Sequence, residues 1–274
     1  MAVLAGTYSP KAYDRLLQRG EGKRGKWCHH RLVNGQVQLF ELPTEIHEVA
    51  ASQILLQLAR QHRYVQSEGS GDIFINATTK LEPDESIFID GDDVPRPGAV
   101  DPNGGRLPKI VVEVSYSEPY KSVGALAARY FSVGGENGIQ AVILIFIRHP
   151  VQPVEGRCQM VVLLYDYRTP RDANGDPVPS MAISFGDYLH WSTKRTIDRH
   201  CRVPNDRWSG VGIHQVVCDQ EGLAAFQLPV DGELLWKGYD AAARAHLAAT
   251  TAPFVVDLYE MKRLVKRGII RAHV

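Results

Sequence analysis

The chain has 274 residues, of which 44% are hydrophobic and 23% charged, and its basic and acidic side chains balance at 31 each. This composition is typical of a globular protein and excludes a strongly basic nucleic-acid-binding domain. No apolar run is long enough to predict a membrane span, and the first residues lack the pattern of a signal peptide. The four cysteines form no C-x-x-C pair, so we expect them to be reduced in an intracellular protein, cytoplasmic or nuclear.

The charges are unevenly distributed along the chain. Residues 1–40 carry seven basic and two acidic side chains, and residues 261–274 carry five basic and no acidic ones. Residues 68–101 carry nine acidic and two basic side chains. Basic ends around an acidic middle suit a polyanion held near a metal site, and they are equally typical of solvated surfaces.

The first predicted elements are a hairpin and a helix. Asn34-Gly35 lies between short apolar stretches, which favours a two-residue hairpin turn. Residues 45–62 then repeat apolar side chains at helical spacing, with Thr44 as a suitable N-cap. Glu45 and Glu48 lie three residues apart, so they share one face of this helix.

Two strands and a turn-rich loop follow. Residues 71–79 alternate apolar and polar side chains, and residues 85–89, "ESIFI", are an apolar strand preceded by Pro83-Asp84. Residues 90–108 are rich in Gly, Pro and Asp, which predicts a solvated loop. The acidic residues of this loop lack the spacing of a calcium-binding hand.

Residues 109–115, "KIVVEVS", predict a buried central strand that contains a carboxylate. Strand alternation places Glu113 and Ser115 on one side of the sheet and the apolar residues Ile110, Val112 and Val114 on the other. An unpaired carboxylate in a core is costly, so Glu113 requires a partner: a metal, an arginine or a proton.

The next residues predict a crossover unit. Residues 122–133 have a helical pattern with Ser122 as the expected N-cap, and the glycines at 134–138 end it. Residues 139–147 and 158–168 are apolar strands. A helix between two buried strands is a crossover pattern, which is typical of an α/β fold.

The signals weaken after residue 170, where we expect a small C-terminal β/α extension over residues 170–274. Residues 210–217 and 223–230 predict a small hairpin, and residues 241–249 and 255–268 predict terminal helices. The chain contains no internal repeat, so we expect residues 1–274 to form a single domain.

Carboxylates from three predicted elements suggest a metal site. Asp84 begins one strand, Glu113 lies within the next, and Glu45 and Glu48 lie on the preceding helix. Oxygen ligands of this kind suit Mg²⁺, which activates a water and stabilises charge on a phosphodiester. Pro-Asp before a strand is also a common turn, and Glu113 could instead form a buried ion pair with Arg129 or Arg60.

The order of motifs resembles a known superfamily. "LPTEIHEVAASQILLQL", "LEPDESIFI", "PKIVVEVSYS", "ARYF" and "QAVILIFI" occur in the order found in the PD-(D/E)xK restriction-endonuclease-like superfamily. More narrowly, they are similar to its Uma-type restriction endonuclease branch. The resemblance covers about residues 38–168, and "FQLPVDGELLWKG" at 226–238 is similar to the closing strand of that branch.

The resemblance implies a restriction-endonuclease-like core with a mixed central sheet flanked by helices. It also implies a metal-dependent endonuclease that uses Mg²⁺ or Mn²⁺ to cleave nucleic acid, DNA rather than RNA, and that can act as a homodimer. On this basis Asp84 and Glu113 are expected to bind the metal, and Glu45 or Glu48 is the expected helix acid.

The lysine of the superfamily motif is missing from both expected positions. Two residues after Glu113 stands Ser115, and the position used by the Uma-type branch, four residues before a tyrosine, holds Leu126. Lys121 or Arg129 is the expected substitute, and Lys109 also lies nearby in sequence. A cation there would hold the attacking water or offset charge in the transition state.

The missing lysine leaves two other functions open. The first is a nuclease fold that has lost catalysis and serves as a nucleic-acid or protein interaction module. The second is an interaction protein without a metal site, in which Glu113 forms a buried salt bridge.

Overall fold

The computed structural model describes residues 2–3, 6–21, 30–39, 45–69, 71–90, 99–116, 118–148, 157–248 and 254–272. Its strands are β1 (Ala2–Val3), β2 (His30–Val33), β3 (Gln36–Leu39), β4 (Val65–Ser67), β5 (Ile73–Asn76), β6 (Thr79–Leu81), β7 (Glu85–Ile89), β8 (Ile110–Ser115), β9 (Ala141–Arg148), β10 (Gln159–Asp166), β11 (Met181–Ser184), β12 (Trp208–Gly210), β13 (Gln227–Val230) and β14 (Phe254–Asp257). Its helices are α1 (Pro10–Glu21), α2 (Glu45–Gln61), α3 (Tyr120–Gly124), α4 (Leu126–Phe131), α5 (Trp191–Cys201), α6 (Gly232–Leu235), α7 (Ala241–Ala248) and α8 (Leu258–Ala272).

A seven-stranded sheet with the order β12-β11-β10-β9-β8-β7-β4 forms the centre of the fold. Strands β8 and β9 are parallel, as are β11 and β12, whereas the other neighbouring strands are antiparallel. Helices cover both faces of this sheet. The predicted fold class, a mixed central sheet flanked by helices, is therefore confirmed, and it is consistent with a restriction-endonuclease-like core.

Strands β8 and β9 lie in the middle of the sheet because their side chains are apolar on both faces. All six residues of β8 are buried, as are the first seven of β9. Helices α3 and α4 connect these two parallel strands, as the crossover pattern predicts. The connection places the residues after β8 on one face of the sheet.

The two faces of the central sheet have separate cores. Ile110, Val112 and Val114 of β8 pack in the core that includes residues of α2 and α8. Val111 packs in the opposite core, which includes residues of α4 and α5. Since strand side chains alternate, Glu113 lies on the α4 side, as the sequence predicts.

A smaller sheet, with the order β1-β3-β2-β6-β5, contains the predicted hairpin. Strands β2 and β3 pair antiparallel around Asn34 and Gly35, whose φ angles of 50° and 75° are those of a two-residue hairpin turn. The hairpin matters for the site because Arg31 lies on β2 and is buried, with 5% of its surface exposed.

The crossover helix differs from its prediction. It begins at Tyr120 with Pro119 as the N-cap, so the expectation that Ser122 caps it is wrong. Pro119 has the extended backbone of an N-cap, and its missing N–H is one that the start of a helix does not use. The helix is also divided, since α3 ends at Gly124 and α4 begins at Leu126.

The C-terminal extension was predicted less well. Strand β13 pairs with β14 and not with residues 210–217, so the predicted hairpin there is wrong. Residues 255–257, where a helix was expected, belong to strand β14, and α8 follows directly. Helix α5 was not predicted, because it buries only Ile197 and Cys201. The proposed cap Thr44 and most of the acidic loop at 90–98 lie outside the described residues.

Candidate functional site

Glu113 is the centre of a buried polar cluster on the α4 face of the sheet. Its carboxylate accepts hydrogen bonds from the Arg31 guanidinium and from the hydroxyl of Tyr130 on α4. Only 1% of the Glu113 surface is exposed, and Tyr130 is completely buried. The predicted requirement for a partner is therefore met by an arginine and a phenol rather than by Arg129 or Arg60.

Arg31 joins two carboxylates that lie five residues apart. Its second terminal nitrogen donates to Glu118 Oε1 at 2.8 Å, beyond the end of β8. The backbone around Glu118 is fixed by Arg148, which donates to the carbonyl oxygen of Glu118 and to Ser115 Oγ at 2.6 and 2.9 Å. The hairpin of the smaller sheet is thus tied to the central sheet through one guanidinium.

Asp84 lies beside Glu113, as the motif order predicts. It precedes β7, which pairs antiparallel with β8, and its Oδ2 accepts a hydrogen bond from the backbone N–H of Val114 at 2.6 Å. This bond holds the Asp84 carboxylate beside the backbone of Val114, the residue that follows Glu113 on β8. We refer to Arg31, Asp84, Glu113, Glu118 and Tyr130 as the carboxylate cluster.

Burial dominates the electrostatics of the carboxylate cluster. It raises the pKa of Glu113 to about 7, against the opposing effects of Arg31 and Tyr130. Burial also raises the pKa of Asp84 well above its usual range, and the charge of Glu113 adds to the shift. Both shifts favour the protonated forms of the two carboxyl groups.

Glu45 and Glu48, the expected helix acids, occupy a different place. Both are exposed on the first turn of α2, and they line a groove between α2 and α8 together with Arg267. Helix α2 packs on the face of β8 opposite to Glu113. The structure thus brings Asp84 and Glu113 together and places the helix acids in the α2–α8 groove.

The expected substitutes for the missing lysine are also placed apart from one another. Lys121 is exposed on α3, whereas Arg129 is partly buried on α4, where burial and the nearby charge of Arg31 lower its pKa. Lys109 lies before β8 and donates to the carbonyl oxygens of Asn137 and Lys237 at 2.9 and 2.8 Å. Among the described residues, Arg31 is the cation that contacts Glu113.

The two motif positions that lack lysine have structural roles. Ser115 is buried and donates from Oγ to the carbonyl oxygen of Glu118 at 3.1 Å. Leu126 is 1% exposed and packs in the α4-side core. A lysine at Leu126 would place its charge within this apolar core.

As folded, the carboxylates of the cluster are engaged by protein donors and are not arranged around a divalent metal. Arg31 and Tyr130 occupy the two carboxylate oxygens of Glu113, and the Val114 N–H occupies one oxygen of Asp84. Within the described residues, no group of three or more His, Cys, Asp or Glu side chains is placed to hold a metal ion. The Arg31 guanidinium supplies the positive charge that a metal would supply. Mg²⁺ binding stays a prediction.

Sequence reasoning identified Asp84 and Glu113 but missed Arg31, Glu118 and Tyr130 as their partners. Arg31 had a signal of its own, because it stands in the apolar stretch "RLVNGQVQL" that predicts the hairpin. A cation in such a stretch requires a buried partner. The partner was not deducible, since Glu113 lies 82 residues away.

The charged ends of the chain are partly neutralised within the fold. Lys262 and Lys266 of α8 contact Asp187 at 3.1 and 3.0 Å, and Arg263 contacts Glu260 at 2.8 Å. In the acidic middle, Asp90 pairs with Arg106 at 2.7 Å. These groups are therefore poorly placed to form one continuous surface for a polyanion. No described helix combines the length and the apolar composition that crossing a membrane requires.

Comparisons with known proteins give distant structural similarity. No protein-family model matches the chain, and no curated protein matches it either. A DUF820 protein from Anabaena variabilis, whose crystal structure is described as that of a candidate nuclease, aligns with a TM-score of 0.37 and 16% sequence identity. The alignment covers 62% of this chain and 89% of the other. A similarity of this size assigns neither a family nor an activity.

Proposed function

We propose that this chain is a nuclease-like α/β protein that binds nucleic acid without cleaving it by metal catalysis. The observation that carries the proposal is the contact of Arg31 with Glu113. Glu113 and Asp84 stand where the resemblance implies metal ligands. Arg31 and Tyr130 use the oxygens of Glu113, so a metal would have to displace a guanidinium from a buried ion pair.

Displacing the Arg31 guanidinium is energetically unfavourable. Removing one partner of a buried ion pair typically costs about 3–5 kcal/mol, because the other charge stays desolvated. Arg31 contacts Glu118 as well as Glu113, so two carboxylates hold it in place. Neither Ser115 nor Leu126 can supply the cation that the superfamily uses for catalysis. The ligand class, nucleic acid, rests on the motif order quoted above.

The first experiment measures cleavage and binding with one preparation of protein. Supercoiled plasmid and single-stranded DNA are incubated with the parent, with Asp84→Asn and with Glu113→Ala, in Mg²⁺ or Mn²⁺. The matched control is Glu136→Ala, which removes a carboxylate that is 72% exposed on the surface. Binding of labelled DNA is measured by fluorescence anisotropy, and circular dichroism checks that each variant is folded.

The proposal predicts DNA binding by the parent and no metal-dependent cleavage above the level of the two site variants. Cleavage by the parent and by Glu136→Ala that is lost in Asp84→Asn would contradict it. Asp84→Asn is included because it keeps the shape of the side chain, whereas Glu113→Ala leaves Arg31 with one carboxylate fewer. Absence of binding to any nucleic acid would contradict the other half of the proposal.

A metal-dependent nuclease is the second candidate function. The observation that favours it is that Asp84, which precedes β7, lies beside Glu113 on the neighbouring strand β8, close enough for the charge of Glu113 to raise the pKa of Asp84. If this candidate is correct, Mg²⁺ or Mn²⁺ binds at these two carboxylates and Arg31 moves away when it binds. The same assay then gives cleavage by the parent, and Lys121→Ala and Arg129→Ala identify the cation that replaces the missing lysine.

A further inference from the structure

Helix α5 carries an exposed stripe that combines one aromatic side chain with two arginines. Trp191, Arg195 and Arg199 recur every four residues, so they follow one side of the helix at steps of about 6 Å. Trp191 is 66% exposed, and both arginines are exposed. We call these three residues the α5 stripe.

Neither arginine of the α5 stripe contacts a carboxylate within the described part of the chain. The acid nearest to them on the helix, Asp198, is already satisfied. It accepts from Lys194 Nζ at 2.8 Å and from the indole N–H of Trp208 at 2.7 Å. The stripe therefore presents net positive charge to solvent.

The surroundings of the stripe are aromatic and basic too. The His190 ring lies 5.9 Å from the Trp191 ring, and the Arg157 guanidinium lies 5.3 Å from the Tyr188 ring. Helix α5 packs against α3. The lack of a side chain at Gly124 of α3 allows the carbonyl oxygen of His200 to approach its backbone, since a Cβ at Gly124 would lie 2.3 Å from that oxygen. This packing holds the stripe on a rigid helix on the face of the sheet that contains the carboxylate cluster.

We propose that the α5 stripe binds single-stranded nucleic acid, with an unpaired base stacked on Trp191 and backbone phosphates contacting Arg195 and Arg199. Exposed aromatic rings beside arginines are the two elements that sequence-tolerant single-strand binders combine. A duplex keeps its bases stacked on one another and offers none to the indole. Tryptophan and arginine also occur at protein interfaces, and it is the pair of arginines without a carboxylate contact in the described part of the chain that favours a polyanion here.

This inference rests on the proposed function and names the surface that carries it. The test measures the affinity of the full chain for a labelled oligothymidine of about 16 nucleotides and for a duplex of equal length. The variants are Trp191→Ala and the pair Arg195→Glu with Arg199→Glu. The control pair is Arg60→Glu with Arg244→Glu, which makes the same charge change at exposed arginines of α2 and α7. Leu56→Ala controls for loss of an exposed apolar side chain.

The expected result is preference for the single strand and a loss of about tenfold or more in affinity in each stripe variant. The arginine pair should also reduce the dependence of affinity on salt, whereas Trp191→Ala should not. Both controls should bind within about twofold of the parent, since peripheral substitutions change affinity little.

Two other outcomes are distinguishable. If the parent binds nucleic acid and the stripe variants bind equally well, or if the duplex is preferred, the inference is wrong while the proposed function stands. If the parent binds no nucleic acid of either kind, the inference and the proposed function are both wrong.

Discussion

A buried cation lies at each end of strand β8, and the two cations are held in different ways. Lys109, before the strand, donates to two backbone carbonyl oxygens. Arg31, near the other end, contacts the carboxylates of Glu113 and Glu118. Both cations are almost completely buried, with 2% and 5% of their surfaces exposed. The two cations are therefore similarly buried, but Lys109 donates to neutral carbonyl oxygens whereas Arg31 contacts carboxylates.

The difference in partners reverses the direction of the pKa shift. Burial, together with the nearby charge of Arg106, lowers the pKa of Lys109 to about 8. Burial also acts to lower the pKa of Arg31, but Glu113 and Glu118 outweigh it, and the pKa is raised. The comparison teaches that neighbouring carboxylates offset the effect of burial on the pKa of a cation, whereas carbonyl oxygens do not; the arginine keeps its charge in either case.

The largest effect that tests this comparison is expected from Arg31→Met. The variant leaves Glu113 buried without its cation, which should lower the free energy of unfolding by about 3–5 kcal/mol at neutral pH. Urea denaturation followed by circular dichroism measures the change. The loss should shrink at acidic pH, where Glu113 is protonated in both proteins. A loss below about 1 kcal/mol would show that Arg31 is not essential to the cluster.

The next effect is the pH dependence that Glu113 contributes. Its pKa rises from 4.5 in the unfolded chain to about 7 in the fold, so the folded state binds more protons between these values. Its contribution to stability is complete below pH 4.5 and is lost as the pH rises through about 7. Over this window the parent should lose up to about 3 kcal/mol relative to Glu113→Gln. Parallel curves for the two proteins would contradict the prediction.

Tyr130→Phe tests the second partner of Glu113. The change keeps the ring in its buried position and removes the hydroxyl that donates to the carboxylate. Loss of a hydrogen bond to a charged group should cost about 1.5–3 kcal/mol. Tyr165→Phe is the matched control, because the hydroxyl of Tyr165 donates to the backbone carbonyl of Cys201 at 3.1 Å, and it should cost less. Equal losses would indicate that the charge of Glu113 adds nothing.

The smallest net effect is expected from Lys109→Met. The variant removes the cost of burying a charge but leaves two carbonyl oxygens without a donor, so the free energy of unfolding should change by about 1 kcal/mol at neutral pH. The pH dependence is the sharper measurement. Lys109 binds fewer protons in the fold between about pH 8 and 10.5, so the parent gains stability relative to Lys109→Met as the pH rises through this window. This sign is opposite to that of Glu113.

Much of the central sheet was predictable because its signals are local. The apolar stretches of β7, β8 and β9 predict strands at the right positions, and Asn34-Gly35 predicts the hairpin turn. The side of β8 on which Glu113 lies follows from strand alternation alone. Helix α5 was missed because most of its residues are polar, and its position depends on packing against α3.

The sequence by itself determined that Asp84 and Glu113 would lie on neighbouring elements and that Glu113 would need a buried partner. Only the tertiary structure decided that the partner is Arg31, that Tyr130 completes the contact, and that Glu45 and Glu48 lie in the α2–α8 groove. The physical reason is the distance along the chain over which each effect acts. Alternation and apolar periodicity act over a few residues, whereas the pairing of a buried charge depends on which distant segment the fold brings to it.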